Sequence, residues 1–273
     1  MTVDELLLDA YKFIHKDEAR LLLSILLNYN VLELNLHLND KVDEAIIEKF
    51  KHAVILLKQG EPLQYVLSNA PFYGYDFYVN KNVLIPRFDT EVLVEKANEL
   101  IKTYFKDKSI KVLDLCTGSG CIGITLKLLN NDLDVTLSDI SKDALMVAEI
   151  NKNKYKLDLK LIESDLFNNI DEKYDVITCN PPYISYEEEI MDLVKDNEPH
   201  LALYAKEGGL YFYNVIFKEI KSHLNDKYLL FFELNSEKSN EIYEVAKKYF
   251  DSKEISIVKD LGNRDRVLIV DHN

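Results

Sequence analysis

Glycine is scarce in this chain: eight in 273 residues, three of them within the single stretch Gly118–Gly123. Proline is scarcer still, at six, and two of the six stand side by side at Pro181 and Pro182. Both residues are therefore spent where a special backbone is needed, which makes these two places the first to question. Cysteine numbers three (Cys116, Cys121 and Cys179), an odd count with no compact spacing, so a secreted disulfide framework is not expected. No fourth ligand accompanies them, so small buried thiols are expected and no metal. Basic residues are outnumbered, 33 against 47 acidic, for a net charge of −14. Long-range electrostatics thus oppose a phosphate backbone, and nucleic acid is not an expected partner. No apolar run reaches the ~18 residues of a membrane span. The first residues, MTVDELLLDAYKF, carry neither a basic leader nor a small-residue cleavage site, so a cytoplasmic, membrane-free protein is expected.

What is present falls into two grammars. Up to about residue 58 the pattern is helical. Asp17–Arg20 followed by LLLSILL reads as one helix. Val42, Ala45, Ile46, Phe50, Ala53, Val54 and Leu57 form the apolar stripe of another. Gly60 and Pro62 end this region. The aromatic and turn-rich segment 71–91 follows, where alternation through Phe77, Val79 and Val83–Ile85 predicts two short strands around Asn80–Asn82. Asp89 is the predicted N-cap of a helix over Thr90–Phe105. From Lys111 onward, KVLDLC, DVTLSD, LKLIES, YDVITC and YLLFFE alternate with helical segments, which implies a mostly parallel sheet with helices on both faces. The closing ISIVKDLGNRDRVLIV predicts two strands paired antiparallel through a Gly-Asn turn.

The stretch Gly118-Ser119-Gly120-Cys121-Ile122-Gly123 follows a strand and opens a helix, where backbone N–H groups can meet a polar ligand. Asp139, 19 residues beyond Gly120 at the end of the next strand, is placed to accept from ribose hydroxyls. Read literally this is a dinucleotide fingerprint, and NAD is one candidate. Two acids favour S-adenosylmethionine. Asp114 lies within the first strand, where it can orient the glycine loop or face the amino end of a methionine moiety. Asp165 follows the third strand and can reach an adenine amino group.

Cys179-Asn180-Pro181-Pro182-Tyr183 ends the fourth strand beside the first, at the switch point of the sheet. A planar NH₂ on an sp² carbon is a poor nucleophile and must be aimed at an electrophilic methyl. The Asn180 oxygen and the Pro181 carbonyl can each accept one of its N–H bonds, the prolines stiffen the turn, and the Tyr183 ring can stack on the planar group. In that scheme the ring of Tyr183 matters more than its hydroxyl.

With LIPRFDTEVLVE (Leu84–Glu95), DLCTGSGCIG, the acids Asp139 and Asp165, NPPYI, EPHLALYAKEGGLYFY and DLGNRDRVLIV all in hand, the chain resembles the HemK/PrmC family over nearly its full length. These are N5-glutamine methyltransferases that modify peptide chain release factors. The resemblance implies a seven-stranded, Rossmann-like class I methyltransferase sheet of α/β type, mostly parallel with the last strand antiparallel. It implies a helical docking domain over 1–70, a β-hairpin linker over 71–88 and a catalytic domain over 89–273. By that similarity Cys116, Thr117, Gly118, Ser119, Gly120, Asp139, Leu166 and Asn180 would line S-adenosylmethionine, joined by Asp114 and Asp165 from their places in and after the strands. Asn180, Pro181, Pro182 and Tyr183 would hold the glutamine amide, and Arg87 would order the linker beside it. Phe88 departs from a usual proline, Asn197 from an aromatic, and Leu166 from a larger ring, giving a thinner adenine contact. The implied substrate is the Gly-Gly-Gln glutamine of a class-1 release factor, modified by a monomer. Alternatives are a ribosomal-protein glutamine or the N6 amine of adenine in nucleic acid, the latter needing a basic cleft. A cofactor-binding scaffold without catalysis is the nonenzymatic reading.

Overall fold

The computed structural model describes residues 1–105 and 109–272; Asn273, the expected end of the catalytic domain, lies outside them. Contacts divide the chain into two units, one of residues 1–69 with 191–197, the other of 70–190 with 198–273.

The first unit is helical. α1 (Val3–Ala10) starts at a capping box, in which the Glu5 N–H donates to Thr2 Oγ1 at 3.3 Å and the Thr2 N–H to Glu5 Oε2 at 2.9 Å. α2 (Lys16–Leu27), α3 (Glu44–Lys58) and α4 (Leu63–Leu67) follow. The face of α3 differs by one residue from the expected stripe, because Ile47 is buried with Phe50, Ala53 and Val54 while Ala45 is exposed. A branched side chain gains more from burial than a methyl, and the helix turns accordingly.

The second unit opens with a hairpin of β1 (Ala70–Phe72) and β2 (Tyr75–Phe77), turning at Tyr73 and Gly74, both at positive φ. The expected strands around Asn80–Asn82 are absent. Val79, Val83 and Ile85 are buried as the alternation required, but the backbone is satisfied elsewhere. Tyr78 N–H donates to Asn151 Oδ1 at 2.7 Å, and Ile85 N–H to Glu198 Oε2 at 3.0 Å. Alternating burial records which side chains face the domain, and says nothing about what the intervening N–H groups bond. Nor does Asp89 cap the helix that follows it. A short 3₁₀ turn over Phe88–Thr90 leads into α5 (Glu91–Tyr104) without a side-chain cap, and Asp89 instead meets Arg264 at 3.3 Å and Arg266 at 3.0 Å.

Alternation then sets in: β3 (Lys111–Leu115), α6 (Cys121–Leu129), β4 (Asp134–Asp139), α7 (Lys142–Lys154), β5 (Lys160–Glu163) and β6 (Tyr174–Cys179). After it come β7 (Ile184–Ser185), α8 (Asp192–Asn197, counted with the first unit), α9 (His200–Leu203) and β8 (Tyr204–Ala205). The chain finishes with α10 (Tyr211–Glu219), β9 (Leu224–Glu233), α11 (Ser239–Ala246), β10 (Ile255–Lys259) and β11 (Asp265–His272). The main sheet has seven strands in the order β10-β11-β9-β6-β3-β4-β5, parallel throughout except for β11, which runs antiparallel to both neighbours. This is the expected α/β sheet with its last strand reversed. Its central strands are buried on both faces, as covered parallel strands must be. One apolar layer gathers Phe217, Phe232 and Leu268, and the other gathers Val94, Ile124 and Phe231. The chain leaves β3 toward β4 on one side and returns at β6 on the other. That reversal puts the carboxyl ends of β3 and β6 at the switch point.

Candidate active site

Leu115 pairs in register with Cys179 and with Ser138, so the turns after β3, β4 and β6 open onto one place. A cavity of about 280 Å³ lies there. Its floor is the turn Cys116–Ser119 with Cys121 and Ile122; Asp139 to Ser141 close one side and Ser164 to Leu166 another. Asn180 and Pro182 face it from β6. The remaining walls come from Asn82, Val83, Leu84, Pro86 and Arg87 with Thr90, from Pro199, Leu201 and Ala202, and from Tyr211 and Phe212.

The glycine turn is pinned from below. Asp114 is fully buried, and Oδ2 accepts from Thr117 Oγ1 at 2.5 Å and from the Gly123 N–H at 3.1 Å, while Oδ1 accepts from Thr178 Oγ1 at 2.8 Å. Burial raises its pKa to about 6, against the pull of those three donors. Asp114 thus orients the loop and does not line the cavity. Gly120 also stays out of the lining: it is the N-cap of α6 at φ +82°, and its N–H closes the turn onto the Thr117 carbonyl at 2.9 Å. Gly123 is where helix meets strand, since a Cβ there would overlap Leu137 Cδ2 and press on Asp114 Cβ.

Asp139 lines the cavity and shapes it. Oδ2 accepts from the Gly118 N–H and Oδ1 from the Ser141 N–H, both at 2.9 Å, and burial pushes its carboxyl above the ordinary range. Asp165 is exposed at the rim and Leu166 buried, the latter held at φ +48°. Cys116 sits at φ +58°, also left-handed and uncommon for a side chain with a Cβ. Its thiol lies against that of Cys179, which burial raises, with the neighbouring thiol adding to the effect. Burial takes Cys121 to about 12. No group of three potential ligand residues suited to a metal occurs among the described residues.

Two pins that no local pattern announced fix the walls. The buried Glu198 carboxylate receives the Ile85 N–H and pairs with the Arg87 guanidinium, joining the linker to the segment over the cavity. Arg87 is thus tied to Glu198, 111 positions away. Asn151, wholly buried on α7, donates to the Tyr78 and Ser119 carbonyls, each at 2.9 Å, and so couples linker and glycine loop. A buried polar residue at a core position of α7 was the one sequence sign of it.

Pro181 is buried and Tyr183 partly buried against the core, and neither lines the cavity. The tyrosine differs from expectation in that its hydroxyl is engaged, donating to Glu233 Oε1 at 3.2 Å. Burial raises the Tyr183 pKa steeply, with the Glu233 charge adding to it. Phe88, the departure in the linker, is 72% exposed and has no part in the lining.

The cradle suits a small nucleoside with a charged tail. Nothing stands within 4 Å of a Cβ built on Gly118, which leaves the loop backbone open to close approach. A carboxylate projects at Asp139, and apolar walls at Ile122, Ile140 and Leu166 can hold a flat base. Among the described residues no helix is long and apolar enough to cross a membrane.

Residues 89–244 match the family described as Methyltransferase small domain, and residues 5–67 match the PrmC N-terminal domain. The release factor glutamine methyltransferase of Bacillus subtilis is 35% identical over 237 residues, covering 85% of this chain and 82% of that protein. The protein of the same name from Clostridium acetobutylicum is 34% identical and aligned over 98% of both. The T. thermophilus 16S rRNA N2 G1207 methyltransferase, solved with AdoMet and guanosine, superposes with a TM-score of 0.56 at 16% identity. That match covers 75% of this chain and 50% of the other, and at such identity it speaks for the fold alone.

Proposed function

The chain belongs to the HemK/PrmC family of release factor glutamine methyltransferases, and from that premise we propose that it methylates the side-chain amide nitrogen of the Gly-Gly-Gln glutamine in a class-1 peptide chain release factor. The observation that carries this reading is the junction of two motifs: Asn180 and Pro182 share one cavity with Gly118 and Asp139. S-adenosylmethionine, when bound, supplies a methyl group made electrophilic by a sulfonium.

The residues fit that group. The loop 116–119 and the carboxylate of Asp139 would hold its polar parts, while Ile140, Asp165 and Leu166 would bracket the base. On the acceptor side, Asn180 Oδ1 and the Pro181 carbonyl take the two N–H bonds of the amide, leaving its nitrogen face toward the methyl group. Accepting from both N–H bonds also raises electron density on nitrogen as the new N–C bond forms and the S–C bond breaks. The amide proton then leaves to solvent, and the products are S-adenosylhomocysteine, N5-methylglutamine and a proton. The apolar walls exclude water from the sulfonium. The helical N-terminal unit is the docking domain for the protein substrate, and the enzyme works as a cytoplasmic monomer.

The test is transfer of label from S-adenosylmethionine to a panel of release factor, ribosomal proteins, tRNA and DNA. Label should enter release factor and be lost when its Gly-Gly-Gln glutamine is replaced by alanine. Label entering nucleic acid, with release factor unmarked, would overturn the assignment. Substituting Asn180 by alanine should reduce the rate at least a hundredfold while changing S-adenosylhomocysteine affinity less than tenfold, since the interaction belongs to the transferring state.

A further inference from the structure

One polar cluster is left unused by the amide clamp. Glu233 ends β9 next to the end of β6, where Cys179 pairs with Phe232, so its side chain lies beside the Asn180–Tyr183 turn. It is 1% exposed; Oε1 takes the Tyr183 hydroxyl, the Thr90 side chain also lies at the carboxylate, and Oε2 makes no well-formed hydrogen bond. Arg266, on the neighbouring strand β11, is likewise buried, and its Nε has no partner either. Its Nη2 reaches Asp260 and Asp89, each at 3.0 Å. Asp260 is in turn fixed by Arg264, whose N–H and Nε both donate to it at 3.0 Å. The DLGNRDR segment therefore holds the Arg266 guanidinium in place, one residue from the Val267 that pairs with Glu233, and its charge favours the ionised Glu233 carboxylate.

A fold serving stability alone has little use for this arrangement. Buried charges with open valences are costly, and an apolar pair of the same volume would be as stable or more so. The cost is coherent if something must be held still. Tyr183 is held from two sides: its hydroxyl is tied to Glu233, and its carbonyl oxygen is packed so closely on Gly209 (φ +94°) that any Cβ there would overlap it. Tyr183 immediately follows Pro182, whose peptide link carries the Pro181 carbonyl.

We propose that Glu233 is a positioning residue for methyl transfer: with the Arg266 charge on the adjacent strand beside it, it fixes the Tyr183 hydroxyl and so sets the backbone that presents the Pro181 carbonyl and Asn180 to the acceptor amide. The proposal rests on the amide-clamp reading above. It extends the site to three residues outside the cavity, Glu233, Arg266 and Asp260, and gives the C-terminal hairpin a part in the reaction.

The test uses the full-length protein and saturating substrates. Tyr183→Phe removes one oxygen and should slow methyl transfer about tenfold, with S-adenosylhomocysteine affinity within threefold of the parent. Glu233→Gln keeps an acceptor but loses the charge that Arg266 favours, and should slow transfer about fivefold. Made on top of Tyr183→Phe, it should add less than twofold, because the hydroxyl through which it acts is gone. A hydrogen bond with a structural role only would lower the melting temperature and leave the saturated rate of the folded enzyme unchanged; that result, or two effects that simply multiply, overturns the proposal. Parent enzyme that labels a different acceptor would defeat the substrate assignment, while the same rate ratios on that acceptor would still judge Glu233. Independently of any acceptor, the ¹³C ring signal of Tyr183, assigned by its loss in Tyr183→Phe, should move in Glu233→Gln. A stationary signal also overturns the proposal.

Discussion

Replacing Asp114 by asparagine isolates what a buried charge costs beneath the glycine loop. The substitution keeps the geometry available: the amide oxygen can take the place of Oδ2 and accept from Thr117 and Gly123, and the NH₂ can donate to Thr178, whose hydroxyl turns to accept. Only the titration is lost. A carboxyl moved from 3.8 to about 6 by complete burial binds its proton more tightly in the folded than in the unfolded chain. Its contribution is therefore fully present below the unfolded value and lost as pH rises through the folded one. The lost amount approaches about 3 kcal/mol, and about 2 kcal/mol of it falls between about pH 4 and pH 7. Asp114→Asn has no such slope, so its stability relative to the parent should grow by about 2 kcal/mol over that interval. Urea unfolding followed by far-ultraviolet circular dichroism measures the difference at each pH, the chain having no tryptophan to report by fluorescence. A difference that stays constant across the interval, or shrinks, would refute the reasoning. It would mean either that water reaches the carboxylate or that its three donors outweigh burial.

Asp139→Ala removes the acceptor for the Gly118 and Ser141 N–H groups as well as the expected ribose contacts. Calorimetry should show S-adenosylhomocysteine affinity lower by about 1.5–3 kcal/mol, with no binding of NAD gained. Gly123→Ala forces a methyl into Leu137 and Asp114, and a thermal melt should show destabilisation of about 1–3 kcal/mol. Of the three thiols only Cys116 lines the cavity while being partly open to solvent. Iodoacetamide should modify it first, and S-adenosylhomocysteine should slow the reaction; equal labelling of Cys121 would contradict its burial. Asn180→Asp should retain more transfer activity than Asn180→Ala, because a carboxylate still accepts from the amide; the reverse order in single-turnover rates would count against the clamp.

What could be read along the chain was local. The five parallel strands announced themselves as short apolar runs, and the turns Gly118–Gly123 and Asn180–Tyr183 as concentrations of scarce residues, because the period and the turn chemistry are written in neighbouring positions. The sheet and the meeting of those two turns follow from that grammar. What was misread or missed depends on partners far away in sequence. Asp89 has the credentials of an N-cap, yet two arginines about 175 positions later compete for it and win. The linker alternates like a strand, but its backbone is satisfied by Asn151 and Glu198. Tyr183 reads as a stacking ring, and nothing near it in sequence tells that Glu233, 50 positions on, takes its hydroxyl. Side chains that pin loops leave no periodic trace, and polar residues at core positions such as Asn151 and Glu233 are the only hint of them.

The antiparallel strand β11 lies between β9 and β10, although it is the last of the three to be synthesised. Until it arrives, β10 has no neighbour in the sheet and β9 shows an open edge carrying Leu230, Phe231 and Phe232. A molecule in which β11 has not yet docked is thus a parallel sheet with a sticky border, the kind of intermediate that pairs with other chains. Closure of that border is a contact of long sequence separation, which makes it slow relative to the local helices. The same strand brings the Arg266 charge beside Glu233, so quality control and competence coincide: a molecule whose edge is still open also lacks its finished Tyr183 anchor. Destabilising β11 should accordingly show itself first as aggregation during expression, before any loss of cofactor affinity in the protein that survives.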